Sequence, residues 1–442
     1  MTPCYATGLG AGERERALKV EYNEETSVRK SLSFEIDKDV VAHEIEGRAQ
    51  EYARKLKLPG FRAGKVPAGV VKQRFREQVL QDAAERIVNK VVPEELQGRG
   101  LRPLASPQVT DLKIDEDQPM TFKAVFETLP IVELPEYRGL PAEVKPARVG
   151  DEELERELDR LRDEAARFDP IQERPAREGD FALLDVAWRP VAGGRGGRDE
   201  NTLVELGSAD NHPDLNAALL AMSPGQTRDV RLVYAADHPS PRLAGKTVDY
   251  TVTLKELKQK VVPEADDDFA KDLGEFDSLE ALKQDLRRRL QAAEERRADR
   301  DAKAALVQAL VQRASLEAPE VLVERHMLAR TESAARSLAL QGIDPAKAGV
   351  DWGRYRDAQR EEAVSAAKAD ILLDEIARRE GIEVSQAELD AELGRLAERL
   401  RKSREALRLQ MEKDGDLSAL RARLREDKVL DLLKANARLT FE

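Results

Sequence analysis

The densest grouping of residues able to do chemistry is the octapeptide Gly60-Phe61-Arg62-Ala63-Gly64-Lys65-Val66-Pro67. Gly60 and Gly64 admit positive φ, and Pro59 and Pro67 fix φ on either side, so the stretch reads as a short, exposed, stiff loop. From Arg54 to Arg76 there are eight basic residues (Arg54, Lys55, Lys57, Arg62, Lys65, Lys72, Arg74, Arg76) and no acidic one, against a formal net charge of −12 for the chain. Phe61 stands among them as a single large apolar group. Cations that attract phosphate, with one ring to seat in an apolar pocket, suit a nucleoprotein surface. The same residues also fit an ordinary hairpin loop with solvated charges, and composition does not choose between the two.

Elsewhere reactive groups are sparse. Four histidines are scattered over the chain, and no His/Cys/carboxylate set has the spacing of a metal site. Gly193-Gly194-Arg195-Gly196-Gly197 is a flexible loop and not a phosphate loop, because no Lys-Ser/Thr follows a second glycine. No cofactor, metal or nucleotide is therefore expected, and neither DNA nor a membrane is expected as a partner. The one cysteine, Cys4, excludes an internal disulfide framework and fits a reducing compartment. No apolar run approaches the roughly 18 residues that span a bilayer. Residues 1–17 lack an apolar core of signal-peptide length and read as a disordered extension, whose place in the native protein stays open. A cytoplasmic location is expected.

The elements that must position the loop follow from periodicity. At 442 residues about three domains are expected; 36% charged and 4% aromatic residues favour long solvated helices over one thick core. Leu18–Tyr22, Lys30–Ile36 and Thr121–Glu127 alternate as strands. Asp37 or Asp39 can cap a helix with Val41, Ile45, Ala49, Tyr52 and Leu56 on one side. A second helix carries Val71, Phe75, Val79, Ala83, Ile87 and Val91, and Pro93 should end or kink it. This α+β domain, 18–129, holds the loop at one tip. An extended Pro-rich linker covers 130–150. A connecting helix from Asp151 to Phe168 leads into a β-rich domain, the pair covering 151–260. Residues 261–442 read as helices with narrow apolar stripes, including a capping box at Ser385 and Glu388. Such stripes fit either arms bounding an open cavity or a plain helical bundle.

The motif Gly-Phe-Arg-x-Gly-Lys-x-Pro at 60–67, followed by Gln73-Arg74-Phe75, resembles the ribosome-docking signature of the bacterial trigger factor family, and a weaker resemblance runs from about Leu18 to the C-terminus. It implies an α+β multidomain chain with a ribosome-binding domain, a β-rich FKBP-like domain and an all-α chaperone domain with helical arms. The implied function is ATP-independent chaperoning at the ribosomal tunnel exit. Its partners would be ribosomal protein and RNA, bound through Gly60, Phe61, Arg62, Gly64, Lys65 and Pro67, and nascent polypeptides; a weak homodimer stays open. In the β-rich domain, Leu219–Gln226 and Leu243–Lys246 resemble the helix-turn and closing segment of an FKBP-type prolyl isomerase. That family needs an aromatic cradle that desolvates proline. Here the corresponding positions are Val186, His212, Pro213, Leu215 and His238, with ring surface from Tyr250 and Trp188 alone. The fold is expected to be kept; isomerase activity stays open. A free prolyl isomerase and a helical scaffold or holdase that does not bind ribosomes are the alternatives. The Ile382–Leu389 element also resembles the arms of periplasmic SurA-type chaperones, which would require a secretory signal.

Overall fold

The computed structural model describes residues 18–55, 58–59, 61, 66–237, 243–274 and 276–441. The chain packs as two compact units, one made of residues up to Lys145 together with those from Arg300 on, the other of Pro146–Asp299.

In the first unit, β1 (Leu18–Glu24), β2 (Arg29–Ile36), β3 (Gln108–Asp115) and β4 (Gln118–Glu127) form an antiparallel sheet in the order β1-β2-β4-β3. Alternation puts Leu32, Phe34 and Ile36 of β2, and Met120, Phe122, Ala124 and Phe126 of β4, on the buried face. Phe34 lies opposite Phe122, and their rings stack 4.6 Å apart. Two helices cover that face. α1 (Lys38–Lys55) buries Val41, Ile45, Ala49 and Ala53. The expected second helix is broken at Phe75 into α2 (Ala68–Arg74) and α3 (Arg76–Gly98). Of the two outcomes expected at Pro93, an end or a kink, the end is not seen: α3 runs on through it to Gly98. A proline inside a helix costs about 3 kcal/mol, and burial of Val92 and Leu96 on either side of it offsets that cost.

The Pro-rich stretch is extended but held. Tyr137 is buried and donates its phenolic O–H to Glu380 at 2.6 Å, and Arg138 reaches the same carboxylate at 2.9 Å. The Tyr137 hydrogen bond, then Arg138, hold Glu380 below the ordinary carboxylate range. β5 (Pro141–Val144) pairs in parallel with a strand near the other end of the chain, Arg438–Phe441.

In the second unit, α4 (Asp151–Glu164) ends earlier than expected, and β6 (Arg167–Ile171) follows it. β6 joins β7 (Asp180–Pro190), β8 (Gly197–Glu205), β9 (Thr227–Val233) and β10 (Thr247–Val261) in one antiparallel sheet. The long β10 pairs β7 along one edge and both β6 and β9 along the other. Its core includes Ala182, Leu184, Val252 and Leu254, with Leu219 of α5 (Pro213–Leu219) and Met222 closing the end. A separate core joins Leu154 and Leu158 of α4 to Phe269 of α6 (Asp267–Leu273) and to Leu282 and Leu286 of α7 (Leu279–Arg313). Asp266 caps α6 by accepting from the Phe269 N–H at 2.9 Å.

The remaining helices belong to the first unit. α8 (Glu320–Leu340) and α10 (Arg360–Arg379) pack through Leu322, Val323, Met327, Ala363, Ala367 and Ile371, and the short α9 (Trp352–Ala358), with no buried residue, precedes α10. Ion pairs stitch α8 to its neighbours: Glu320–Arg360 at 2.7 Å, Glu324–Arg356 and Glu362–Arg330. α11 (Gln386–Leu400) starts at the expected capping box. The chain reverses at Arg401, at φ +53°, which separates α11 from α12 (Arg404–Asp414). α13 (Asp416–Ala435) follows, and the domain closes with β11 (Arg438–Phe441), so it is not wholly helical.

Candidate functional site

Both ends of the basic loop are fixed by burial. Leu58 packs partly buried against the α1–α3 core, Val66 is buried, and Val71 one turn into α2 is fully buried. The Phe61 N–H donates to the Leu58 carbonyl at 3.1 Å. Pro67 stands at the N-terminal boundary of α2, and its carbonyl accepts from Val70 and Val71. Phe61 is 40% exposed despite its size. Gly60, Arg62, Gly64 and Lys65 lie outside the described residues, as do Leu56 and Lys57. Among the flanking cations, Lys72 is paired with Glu46 at 2.8 Å and Arg76 with Asp115 at 2.8 Å. Arg54, Lys55 and Arg74 have no carboxylate partner among the described residues, so their charge stays available to an anion.

Of the residues expected at an isomerase pocket, those that are described lie on β7, on β10 and around α5. Val186 pairs with Val252 and Trp188 with Tyr250 across the strands, and this alternation places Trp188 and Tyr250 on the face that carries buried Leu184 and Val252. Leu215 and Tyr250 pack partly buried on that core. The Trp188 ring is turned over Gly197, where a Cβ would fall 2.3 Å from it; only glycine fits there. His212 caps α5, its Nδ1 accepting from the Asp214 N–H at 3.3 Å, with Pro213 as the first helical residue. The His212 ring meets Tyr234 edge-on at 5.5 Å, and the Tyr234 and Tyr250 hydroxyls lie 3.0 Å apart. Burial, then the Tyr250 hydroxyl, push the Tyr234 phenol well above its ordinary range. Tyr234 is the ring that sequence reasoning did not place here; its position one residue beyond an alternating strand was the available signal. His238 lies outside the described residues. No cluster of metal-ligating side chains is present, and no helix is long and apolar enough to cross a membrane, among the described residues.

The chain is thus a multidomain α+β protein with a sheet-and-helix domain that exposes Phe61, a β-rich domain and further helices. Two family models match it, one described as bacterial trigger factor protein (TF) over residues 18–161, the other as its C-terminus over 278–435. The trigger factor of Solibacter usitatus is 32% identical over 412 residues, spanning 93% of this chain and 98% of that one. That of Koribacter versatilis is 35% identical over 410 residues, spanning 91% and 93%. A solved trigger factor chaperone structure, described for promiscuous substrate recognition in folding and assembly, covers 94% of the chain at 21% identity and a TM-score of 0.52, a likeness of fold. The chain belongs to the trigger factor family, ribosome-associated chaperones that include a prolyl-isomerase-type domain.

Proposed function

We propose that residues 60–67 are the ribosome dock. Phe61 seats in an apolar pocket of a ribosomal protein at the tunnel exit, while Arg62 and Lys65 contact ribosomal protein and RNA and Arg54, Lys55 and Arg74 add a field for RNA phosphates. The observation that carries this is the exposed Phe61 ring on a loop whose two ends are packed into the core. In this reading residues 18–129 dock, 130–150 link, 151–260 form the connecting helix and isomerase-like domain, and 261–442 shield nascent chains in the cytoplasm without ATP. Client binding is weak and reversible, because the client must leave to fold. Exposed Leu328, Leu340, Leu400 and Leu409 on or beside the helices offer scattered apolar contacts of that kind.

Co-sedimentation with ribosomes tests the dock. The native chain should pellet, and the combined Phe61→Ala, Arg62→Ala, Lys65→Ala variant should not. If each neutralised phosphate steepens the dependence of log K on log salt by about 0.7–0.9, losing Arg62 and Lys65 flattens the slope by about 1.6. A triple variant that pellets as well as the native chain at every salt concentration refutes the assignment.

A second property is weak prolyl isomerase activity of the β-rich domain, favoured by the His212, Tyr234 and Tyr250 rings gathered at one end of its sheet. The full chain should shorten the tens to hundreds of seconds of uncatalysed X-Pro isomerisation, and Tyr250→Ala should abolish the gain. A native rate equal to the uncatalysed one removes this property and leaves the dock untouched.

A further inference from the structure

Just beyond β4 the chain continues extended from Thr128 to Leu134 without becoming part of any sheet. Burial alternates along it as in a strand: Thr128 and Pro130 are buried, Val132 and Leu134 are half-buried, and Leu129, Ile131 and Glu133 are exposed. Val132 packs against the α8–α10 core. Two of the three outward residues are apolar where a solvated strand would be polar, Leu129 at 52% exposed and Ile131 at 97%, with Glu133 the third. The Thr128 N–H donates to the Val28 carbonyl at 2.9 Å. Pro130 has no N–H to offer. Among the described residues, no backbone group of Leu129 to Leu134 has a backbone partner. The segment is therefore strand-like in its burial, with unpaired backbone along it and a largely apolar outward side, the kind of template onto which another extended chain adds.

Beside it lies a cleft of about 600 Å³, bordered by Pro130, Ile131, Arg313, Leu316 and Lys368. Its charges are unequal. It holds two cations, Arg313 and Lys368, to one carboxylate, Glu317, which accepts from the Ser27 hydroxyl at 3.0 Å; Lys368 has no carboxylate partner among the described residues. Arg313 reaches only the Glu136 carbonyl, at 3.3 Å. The cleft is thus cationic in a chain whose net charge is −12.

We propose that Leu129–Leu134 is a strand-addition site for an unfolded client segment in which apolar residues alternate with acidic ones. The client's backbone pairs along the free edge, one apolar side chain covers Ile131, and a neighbouring carboxylate meets Lys368 and Arg313. This rests on the chaperone reading and gives it a place and a preferred sequence character. Main-chain pairing tolerates many sequences, and the cleft supplies the bias.

The test uses the full chain and a fluorescein-labelled decapeptide of alternating valine and glutamate, with an N-methylated copy that cannot pair. Saturating peptide should slow amide exchange at Leu129, Ile131, Val132 and Glu133, and the N-methylated copy should not. Ile131→Asp, at a site exposed enough to spare the fold, should weaken binding by at least about tenfold, since burying an isoleucine side chain is worth about 1.5–3 kcal/mol and tenfold corresponds to about 1.4. Lys368→Glu should weaken the glutamate peptide and favour a lysine counterpart. Peptide binding with unchanged exchange at these amides overturns the proposal. Protection that grows with protein concentration without peptide would put a second copy of the chain there, and also overturns it. Ribosome co-sedimentation of the same variants reports separately on the docking loop and should be unaltered.

Discussion

Asp180 → Ala should loosen the β-rich domain by an amount the structure allows to be worked out. The residue is 4% exposed at the start of β7. Its carboxylate accepts from both terminal nitrogens of Arg174, at 2.6 and 2.7 Å, and from the Arg177 N–H at 2.8 Å. Its carbonyl accepts from Leu206 at 2.8 Å, so the same residue ties the 174–180 turn to the sheet. Breaking one side of a buried charge pair costs about 3–5 kcal/mol. Arg174 is 27% exposed and regains water once released, so the low end, about 3 kcal/mol, is expected. At roughly 2–4 °C per kcal/mol for a domain of this size, the unfolding midpoint should fall by about 6–12 °C. Asp180→Asn keeps one acceptor and should lose about half as much. Trp188 fluorescence reads this sheet directly once Trp352 is replaced by phenylalanine. The pH dependence supplies a second check. Hydrogen bonding to Arg174, foremost, holds the Asp180 carboxyl below its ordinary value of 3.8. A carboxylate with a depressed folded-state pKa stabilises fully above the unfolded value and loses that contribution as pH falls through the folded one. The gap between native chain and variant should therefore be constant above pH 3.8 and close below it. A midpoint that moves by less than 1 °C, or a gap that persists in strong acid, refutes the assignment of the stability to this carboxylate.

Two further substitutions probe other parts. Partial desolvation of a side chain that still meets water, then the charges of Asp370 and Asp427, raise the Glu426 carboxyl above its ordinary value of 4.5; its charged form is mildly disfavoured in the folded state, so Glu426→Gln should raise the melting temperature slightly at pH 7 and have no stabilising effect at pH 4. Equal effects at the two pH values would contradict that reading. Phe122→Ala removes a ring that is 3% exposed and stacked on Phe34; urea unfolding should show a loss of about 3–5 kcal/mol, and a loss under 1 kcal/mol would mean the stack is not part of the core.

The parts of the fold legible in the sequence are those whose signal is local and repeated. The stripe Val41, Ile45, Ala49 lies buried on α1, and the alternation at Lys30–Ile36 and Thr121–Glu127 marks two central strands. The capping box at Ser385 was readable because both of its members lie within one turn. What escaped depends on distant partners. β3 is exposed along most of its length, so nothing in its own composition alternates, and it exists through pairing with β4. β5 and β11 have four residues each and are strands only because they meet. Pro93 stops a helix in isolation but not one buried on both sides of it. At the candidate pocket, Tyr250 was legible within its strand, while Tyr234 joined it through a hydroxyl contact that only the β9–β10 register creates.

The pairing of Arg438–Phe441 with Pro141–Val144 bears on how this chaperone is itself made. The second unit is one uninterrupted stretch, Pro146–Asp299, and can fold once that stretch has left the tunnel. The first unit is split around it. Its linker stays half-built until translation has passed Phe441, because the strand that pairs with β5 lies some 300 residues downstream of it. Vectorial synthesis thus leaves the sheet-and-helix part of this unit attached to an unfinished linker for some 300 residues of elongation, about 15–60 s at ordinary rates. During that interval the newborn chain exposes the same apolar surfaces that its finished copies cover on other proteins.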